Sequence, residues 1–388
     1  MIESIVTQWP SILLYALVFV LSAALVYLGT KKSNASKYVK LAIVTAGLIL
    51  PVIFAGIRYG VGRDFFAYSK MVENLQAGSD MYYRSIEPVS TLIMYVSASL
   101  GGTVTMFTLF AAITVVFAFL AVRKMSPVGA LYGALGYLAY LSVIFPVTLN
   151  AIRSGAAISL VMFAFSQLLD TTSKYRLLKF TLWIIAACML HASAIICLPI
   201  GIAVYFATRI DKWGAKKEYI ILGVSTIAAI AFPIIGSLVS IVPVTLISNY
   251  ARFLTQVGDQ FFIPIASLVM MAILTLALIF TRREAKKNPK LKVMRSIAMY
   301  YLPLSIVVGW LSYYPGLSRV AYFIDPIIVL LVVYMIKEVH GHLKKGHKLI
   351  LFISAIVLIF SVLMVRNLNW AHALPYNTVF TQQESHDR

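Results

Sequence analysis

The sequence predicts an all-α polytopic membrane protein, and three observations carry that reading. Of its 388 residues, 61% are hydrophobic and only 12% charged, a balance outside that of soluble globular chains. The mean hydropathy is +0.88. Apolar runs recur along the chain with short lysine-rich intervals between them, the pattern that sets orientation in a bilayer. The +19 net charge therefore reads as a topology signal. A nucleic-acid partner is excluded by the lack of zinc-ligand spacings, a basic helix or a phosphate-binding glycine loop.

Taken in order, residues 1–10 contain Glu3 and no basic residue, and 11–29 is long enough to cross hydrocarbon. The start thus reads as a first span, not a cleaved signal, with Trp9 at the interface. Further spans are expected at 41–57, 103–122, 128–145, 151–169, 179–190, 192–208, 219–241, 261–280, 297–311, 319–336 and 348–365, about twelve in all. Residues 88–100 are apolar but only 13 long, and Gly101-Gly102 closes them, so they read as a re-entrant or interfacial helix. No internal repeat is evident. Residues 1–370 form a single membrane domain with outer-face loops at 58–87 and 242–260, followed by a polar tail, 371–388. Cys188 and Cys197 lie in apolar runs and read as small core residues.

With 88–100 not crossing, the basic clusters all fall on one side, taken as cytoplasmic from Lys31, Lys32, Lys37 and Lys40. That side holds 24 of the 33 Lys and Arg, mostly lysine. The other nine are Arg58, Arg63, Lys70, Arg84, Arg153, Arg252, Arg319, Arg366 and Arg388, eight of them arginine. Arginine is the residue suited to a two-pronged grip on phosphate or carboxylate. Several arginines at helix mouths point to an anionic ligand on the outer face.

The first mouth is Ile57-Arg58-Tyr59-Gly60-Val61-Gly62-Arg63-Asp64-Phe65-Phe66-Ala67-Tyr68. Tyr59, Tyr68, Tyr82 and Tyr83 offer flat faces with hydroxyl handles for a glycan, or equally an interfacial aromatic belt. Asp64 reaches an incoming sugar hydroxyl from a surface loop and is the first choice of base, although Arg58 and Arg63 weaken it in that role. Glu87 precedes Pro88, where an acid either caps a helix or serves the site. At the second mouth, Arg153 stands in the first turn of a helix, against the helix dipole, which calls for an anionic partner, either a carboxylate or a ligand. His191 falls at the outward turn of the hairpin 179–209, able to act as a base or to donate to phosphate. The third mouth carries Arg319 and Tyr322 three residues apart, with Asp325 a turn deeper.

These motifs, IRYGVGRDFFAY at 57–68, Glu87-Pro88, NAIRSGAA at 150–157, LHASA at 190–194 and SRVAYF at 318–323, resemble the EpsG-type branch of the Wzy family of bacterial O-antigen, capsule and exopolysaccharide polymerases. The resemblance covers roughly residues 40–335. It implies a glycosyltransferase of the membrane-embedded GT-C type, working without a metal or other cofactor at the outer face of the bacterial cytoplasmic membrane. Donor and acceptor would be undecaprenyl-pyrophosphate-linked oligosaccharides among membrane lipids, with a chain-length regulator as a protein partner. It also implies that Arg58, Asp64, Glu87, Arg153, His191, Arg319 and Tyr322 serve the reaction. A ligase-like glycan transferase shares this chemistry and differs in acceptor. A lipid-linked oligosaccharide flippase would instead place its polar residues at the midplane.

Overall fold

The structure is a computed structural model that describes residues 8–79, 87–209, 265–300, 321–342 and 347–380. Its described residues form fourteen α-helices and two short 3-10 turns. The helices are α1 (Trp9–Thr30), α2 (Lys37–Gly56), α3 (Phe65–Gln76), α4 (Pro88–Leu100), α5 (Gly102–Met125), α6 (Ala130–Val143) and α7 (Phe145–Asn150). They continue with α8 (Ile152–Leu168), α9 (Arg176–Leu190), α10 (Cys197–Arg209), α11 (Ile265–Ala285), α12 (Pro289–Met299), α13 (Asp325–His342) and α14 (His347–Trp370). The 3-10 turns are Ala192–Ile196 and Ala321–Phe323.

The expectation of about twelve spans, and with it the twelve-helix GT-C-type arrangement, is corrected. Among the described residues, only four helical stretches are long and apolar enough to cross a membrane: α1, α2, α5 and the continuous helical stretch Ala192–Arg209. The apolar runs are real, but the backbone interrupts them. The run 128–145 yields the 14-residue α6, and Pro146 opens the six-residue α7. Ala151, at φ −96° and ψ 67°, then separates α7 from the 17-residue α8. Composition reveals apolar length, whereas crossing also needs about 20 residues of unbroken helix. The expected span 219–241 and the loop 242–260 lie outside the described residues.

Four helices frame the interior. α1 and α2 form a hairpin, its turn closed by Ser36, whose hydroxyl accepts the Val39 N–H at 3.3 Å. α5 packs on α2 on one side and on α8 on the other, and α9 covers α8 in turn. Phe107, Phe110, Phe145 and Phe165 are buried where these helices meet. The 88–100 segment forms a helix with the expected bounds, Glu87 at its N-cap and Gly101 at its C-cap.

The two ends of this bundle differ in chemistry. At one end Lys124 donates to Gln167 at 3.0 Å, and Lys124, Lys179 and Lys290, from three separate connections, line one cleft. The opposite end gathers the 57–64 loop, Glu87, the α7–α8 break and His191. There the segment 371–380 folds back over the loop. Gly62 N–H donates to the His372 carbonyl at 2.9 Å, and Tyr59 N–H donates to the Asn377 carbonyl at 2.9 Å. Val379 N–H donates to the Ile57 carbonyl at 3.0 Å. Tyr376 stacks on Phe54, with ring centroids 4.0 Å apart and planes 6° from parallel. The first ten residues of the expected polar tail are thus packed structure.

Candidate active site

Three chain segments converge on one carboxylate. Glu87 leaves its own helix uncapped by its side chain. Its Oε2 accepts from Nη1 of Arg153 at 2.6 Å, and its Oε1 accepts from Nδ1 of His191 at 3.0 Å and from the Ala192 N–H at 2.9 Å. These partners lie 66, 104 and 105 residues away along the chain.

Local sequence explains how each side chain arrives. Pro88 is preorganised for the first turn of α4, which fixes Glu87 in extended backbone at φ −62° and ψ 146°. Buried Ser90 donates to the Leu190 carbonyl at 2.7 Å, tying the start of α4 to the end of α9. His191 ends α9 in extended conformation, turning its ring out of the helix line toward Glu87. The α7–α8 break puts Arg153 in the first turn of α8. Its unfavourable place on the helix dipole is offset by Glu87, a carboxylate, one of the two kinds of anionic partner expected, the other being a ligand. Beneath Arg153 lies Tyr68 of α3, its ring centroid 6.0 Å from the guanidinium carbon, with a side-chain hydrogen bond between the two residues.

The electrostatics follow from this geometry. Burial raises the Glu87 carboxyl, but the hydrogen bonds from His191 and from the Ala192 N–H, together with the charge of Arg153, outweigh it and lower the group to about 2. Glu87 is therefore ionised at neutral pH and can only accept. Nδ1 of His191 then carries the proton it shares with the carboxylate, and in the tautomer with that single proton Nε2 is an acceptor. Arg153 keeps a buried Nε with no partner among the described residues. The Glu87 side chain is 14% exposed and those of Arg153 and His191 22%, so the cluster is open on one side.

The other sequence candidates fall elsewhere. Arg58 is 2% exposed, with its guanidinium carbon 3.9 Å from the Phe107 ring centre. It donates to the carbonyls of Ala55, of Val61 at 3.3 Å and of Leu149 at 3.0 Å. Burial lowers it to about 10, so it remains charged at neutral pH. Its donors face backbone rather than an open cleft, which departs from the phosphate grip expected of it. Gly62 permits this close packing: at φ 103°, a Cβ there would meet the Leu149 carbonyl at 2.8 Å. Arg63 is exposed and donates to Nε2 of His372 at 2.9 Å. The backbone N–H of Asp64 donates to Oδ1 of Asn150 at 2.9 Å, three residues before Arg153.

Among the expected glycan-binding tyrosines, Tyr59 sits half-buried against Phe65 and Phe66, at 5.5 and 5.9 Å. Tyr68 is 6% exposed, a support for Arg153 rather than an open platform. Tyr322 is half-buried with its ring 5.7 Å from that of Trp370. Tyr82, Tyr83 and Arg319 lie outside the described residues. Among the described residues, no three His, Cys, Asp or Glu side chains come together as a metal site would require.

Sequence reasoning named Glu87, Arg153 and His191 separately and missed that one carboxylate holds the other two. It also missed His372 and the fold-back of 371–380. The apolar and aromatic residues of that segment, Ala373, Leu374 and Tyr376, were the available signal.

The comparisons with known proteins bear on this arrangement. Neither curated proteins nor solved structures provide a match to the chain. The family model described as EpsG family matches residues 40–378, a span that takes in Glu87, Arg153, His191 and nearly all of the segment folded over the 57–64 loop. The chain belongs to the EpsG family.

Proposed function

We propose that this chain is a membrane glycosyltransferase of polysaccharide biosynthesis that polymerises lipid-linked repeat units at the Glu87–Arg153–His191 cluster. In this reading it transfers a growing glycan from undecaprenyl pyrophosphate to the nonreducing end of another lipid-linked unit, at the outer face of the cytoplasmic membrane. Family membership supports the glycan class. The observation that carries the site assignment is a single ionised carboxylate holding both a histidine and an arginine, at the end of the molecule opposite Lys124, Lys179 and Lys290.

The proposed step uses each group once. Nε2 of His191 takes the proton of the acceptor hydroxyl as its oxygen bonds to the anomeric carbon of the donor. The bond from that carbon to the phosphate oxygen breaks, and its electron pair leaves on the pyrophosphate. Direct displacement of this kind inverts the anomeric centre. Glu87 holds the imidazole in the required tautomer and stabilises the imidazolium that forms, as carboxylates do in hydrolytic triads. The remaining donors of Arg153 compensate the leaving charge. Asp64, beside Asn150 at the same mouth, is assigned to acceptor orientation rather than proton removal.

Purified protein in lipid nanodiscs, incubated with a synthetic lipid-linked repeat unit, tests the reading on a gel. A ladder of products from the wild type, lost in His191→Ala protein that still elutes as a single species, is expected. A wild-type preparation that leaves the substrate unextended contradicts the assignment.

A further inference from the structure

The lysine-bearing end contains a cleft that the proposed transfer reaction does not use. It has a volume of about 450 Å³. Three ammonium groups line it, Lys124 from the end of α5, Lys179 from the start of α9 and Lys290 from the start of α12. Thr171 and Thr172 add hydroxyls and Asp170 one carboxylate, which accepts from Thr172 at 2.8 Å. The floor is polar and buried: Ser166 is 3% and Gln167 8% exposed.

Lys124 is exposed, but its ammonium is held in place. Its ammonium folds back to donate to Gln167 Oε1 at 3.0 Å and lies 4.9 Å from the centre of the Phe163 ring. It thereby shares a cleft with two like charges against one carboxylate. An excess of positive charge around a cleft with a polar floor suits a phosphate group.

Position narrows the source of that phosphate. Lys124 stands in the last turn of α5, one of the helices long enough to cross the membrane, so the cleft lies where such a span emerges at headgroup level. From the rim at Lys179, an exposed apolar stripe runs along α9 through Leu178, Leu182, Ile185 and Met189, with 41–56% of each residue open. Their spacing puts them on one helical face. We infer that the cleft binds the headgroup phosphate of an anionic phospholipid whose acyl chains lie along this face of α9. Basic pockets at the ends of membrane helices are suited to such headgroups.

The full-length protein in phosphatidylcholine nanodiscs with a minor fraction of phosphatidylglycerol provides the test, with retained lipid read by native mass spectrometry. Lys124→Gln combined with Lys179→Gln is expected to lower phosphatidylglycerol retention about thirtyfold, each ammonium near the surface contributing about fivefold. Lys290→Gln is expected to lower it about fivefold on its own. Lys337→Gln removes a lysine that pairs with Glu284 at 3.9 Å and does not line the cleft, and it is expected to leave retention unchanged. Thermal melting and elution profiles of all three variants establish that each is folded. Retention unaltered in the double variant, or reduced equally by Lys337→Gln, overturns the inference. Inorganic phosphate added to phosphatidylcholine discs is the competing arm. If it stabilises the protein as much as phosphatidylglycerol does, and loses that effect in the double variant, the cleft takes free phosphate and the lipid assignment falls.

Discussion

Arg58 and Arg153 look alike in the sequence and do opposite things in the structure. Each follows an apolar helix or opens the next, and each lies at the same end of the molecule. Arg58 turns inward, 2% exposed, with its donors on three backbone carbonyls and its face on Phe107. It pins the end of α2 to the end of α7. Arg153 keeps 22% of its side chain open, grips one carboxylate and retains a buried Nε without a partner among the described residues. The difference teaches that an arginine at a helix mouth is defined by what accepts its hydrogen bonds. Carbonyls that have lost helical partners make a structural pin, whereas a shared carboxylate leaves donors for a ligand.

The comparison predicts that the two residues fail differently when replaced. Arg58→Met strands three buried carbonyls, each worth roughly 1–3 kcal/mol when left without a donor. The protein is expected to disappear from the membrane fraction or to melt far below the wild type. Normal melting of that variant breaks the distinction. Arg153→Lys keeps the charge for Glu87 and loses the planar fork. It is expected to melt within a few degrees of the wild type, while single-turnover transfer of a lipid-linked unit falls about a hundredfold or more. A parallel loss of stability would make Arg153 a second pin.

Glu87 offers a pH test of the same contrast. Its folded value, about 2, lies below the unfolded value of 4.5, so its contribution to stability is present above pH 4.5 and is lost as pH falls toward 2. Allowing for the solvent that reaches it, the contribution is on the order of 2 kcal/mol. The gap in melting temperature between wild type and Glu87→Gln is expected to be open at pH 7 and to close through that window. A gap that stays constant from pH 7 down to pH 3 contradicts the ionised cluster. The smallest effect is expected from Asp64→Asn. Asparagine serves as well as aspartate at a helix start, so stability is expected to hold. Turnover is expected to fall less than about tenfold if Asp64 orients the acceptor, well short of the roughly 100- to 10,000-fold that loss of a proton-transfer group costs. A larger collapse returns the base to Asp64.

The sequence made the helical class legible because its composition left little else, and it located α4 because Pro88 and Gly101 punctuate it. Glu87, Arg153 and His191 stood out because each is a charged or titratable residue at the edge of an apolar run. Their union was not legible: it depends on contacts across as many as 105 residues, made by the packing of α4, α8 and α9, which no local pattern encodes. The number of spans was overestimated for a related reason. Hydropathy measures the length of an apolar run and not of the helix within it: the run 128–145 yields only the 14-residue α6, and the run 151–169 only the 17-residue α8. The burial of Arg58 was not legible either, because it depends on an acceptor from Leu149, 91 residues away.

The account rests on Glu87 and His191 acting as one unit, and a double-mutant cycle on single-turnover transfer tests it most directly. Rates are measured for wild type, Glu87→Gln, His191→Ala and the combined variant, in protein of matched folding. If the carboxylate works through the imidazole, the double variant is expected to be no slower than the slower single variant, because the second change removes nothing further. Losses that multiply in the double variant would show the two residues acting independently and would contradict the account.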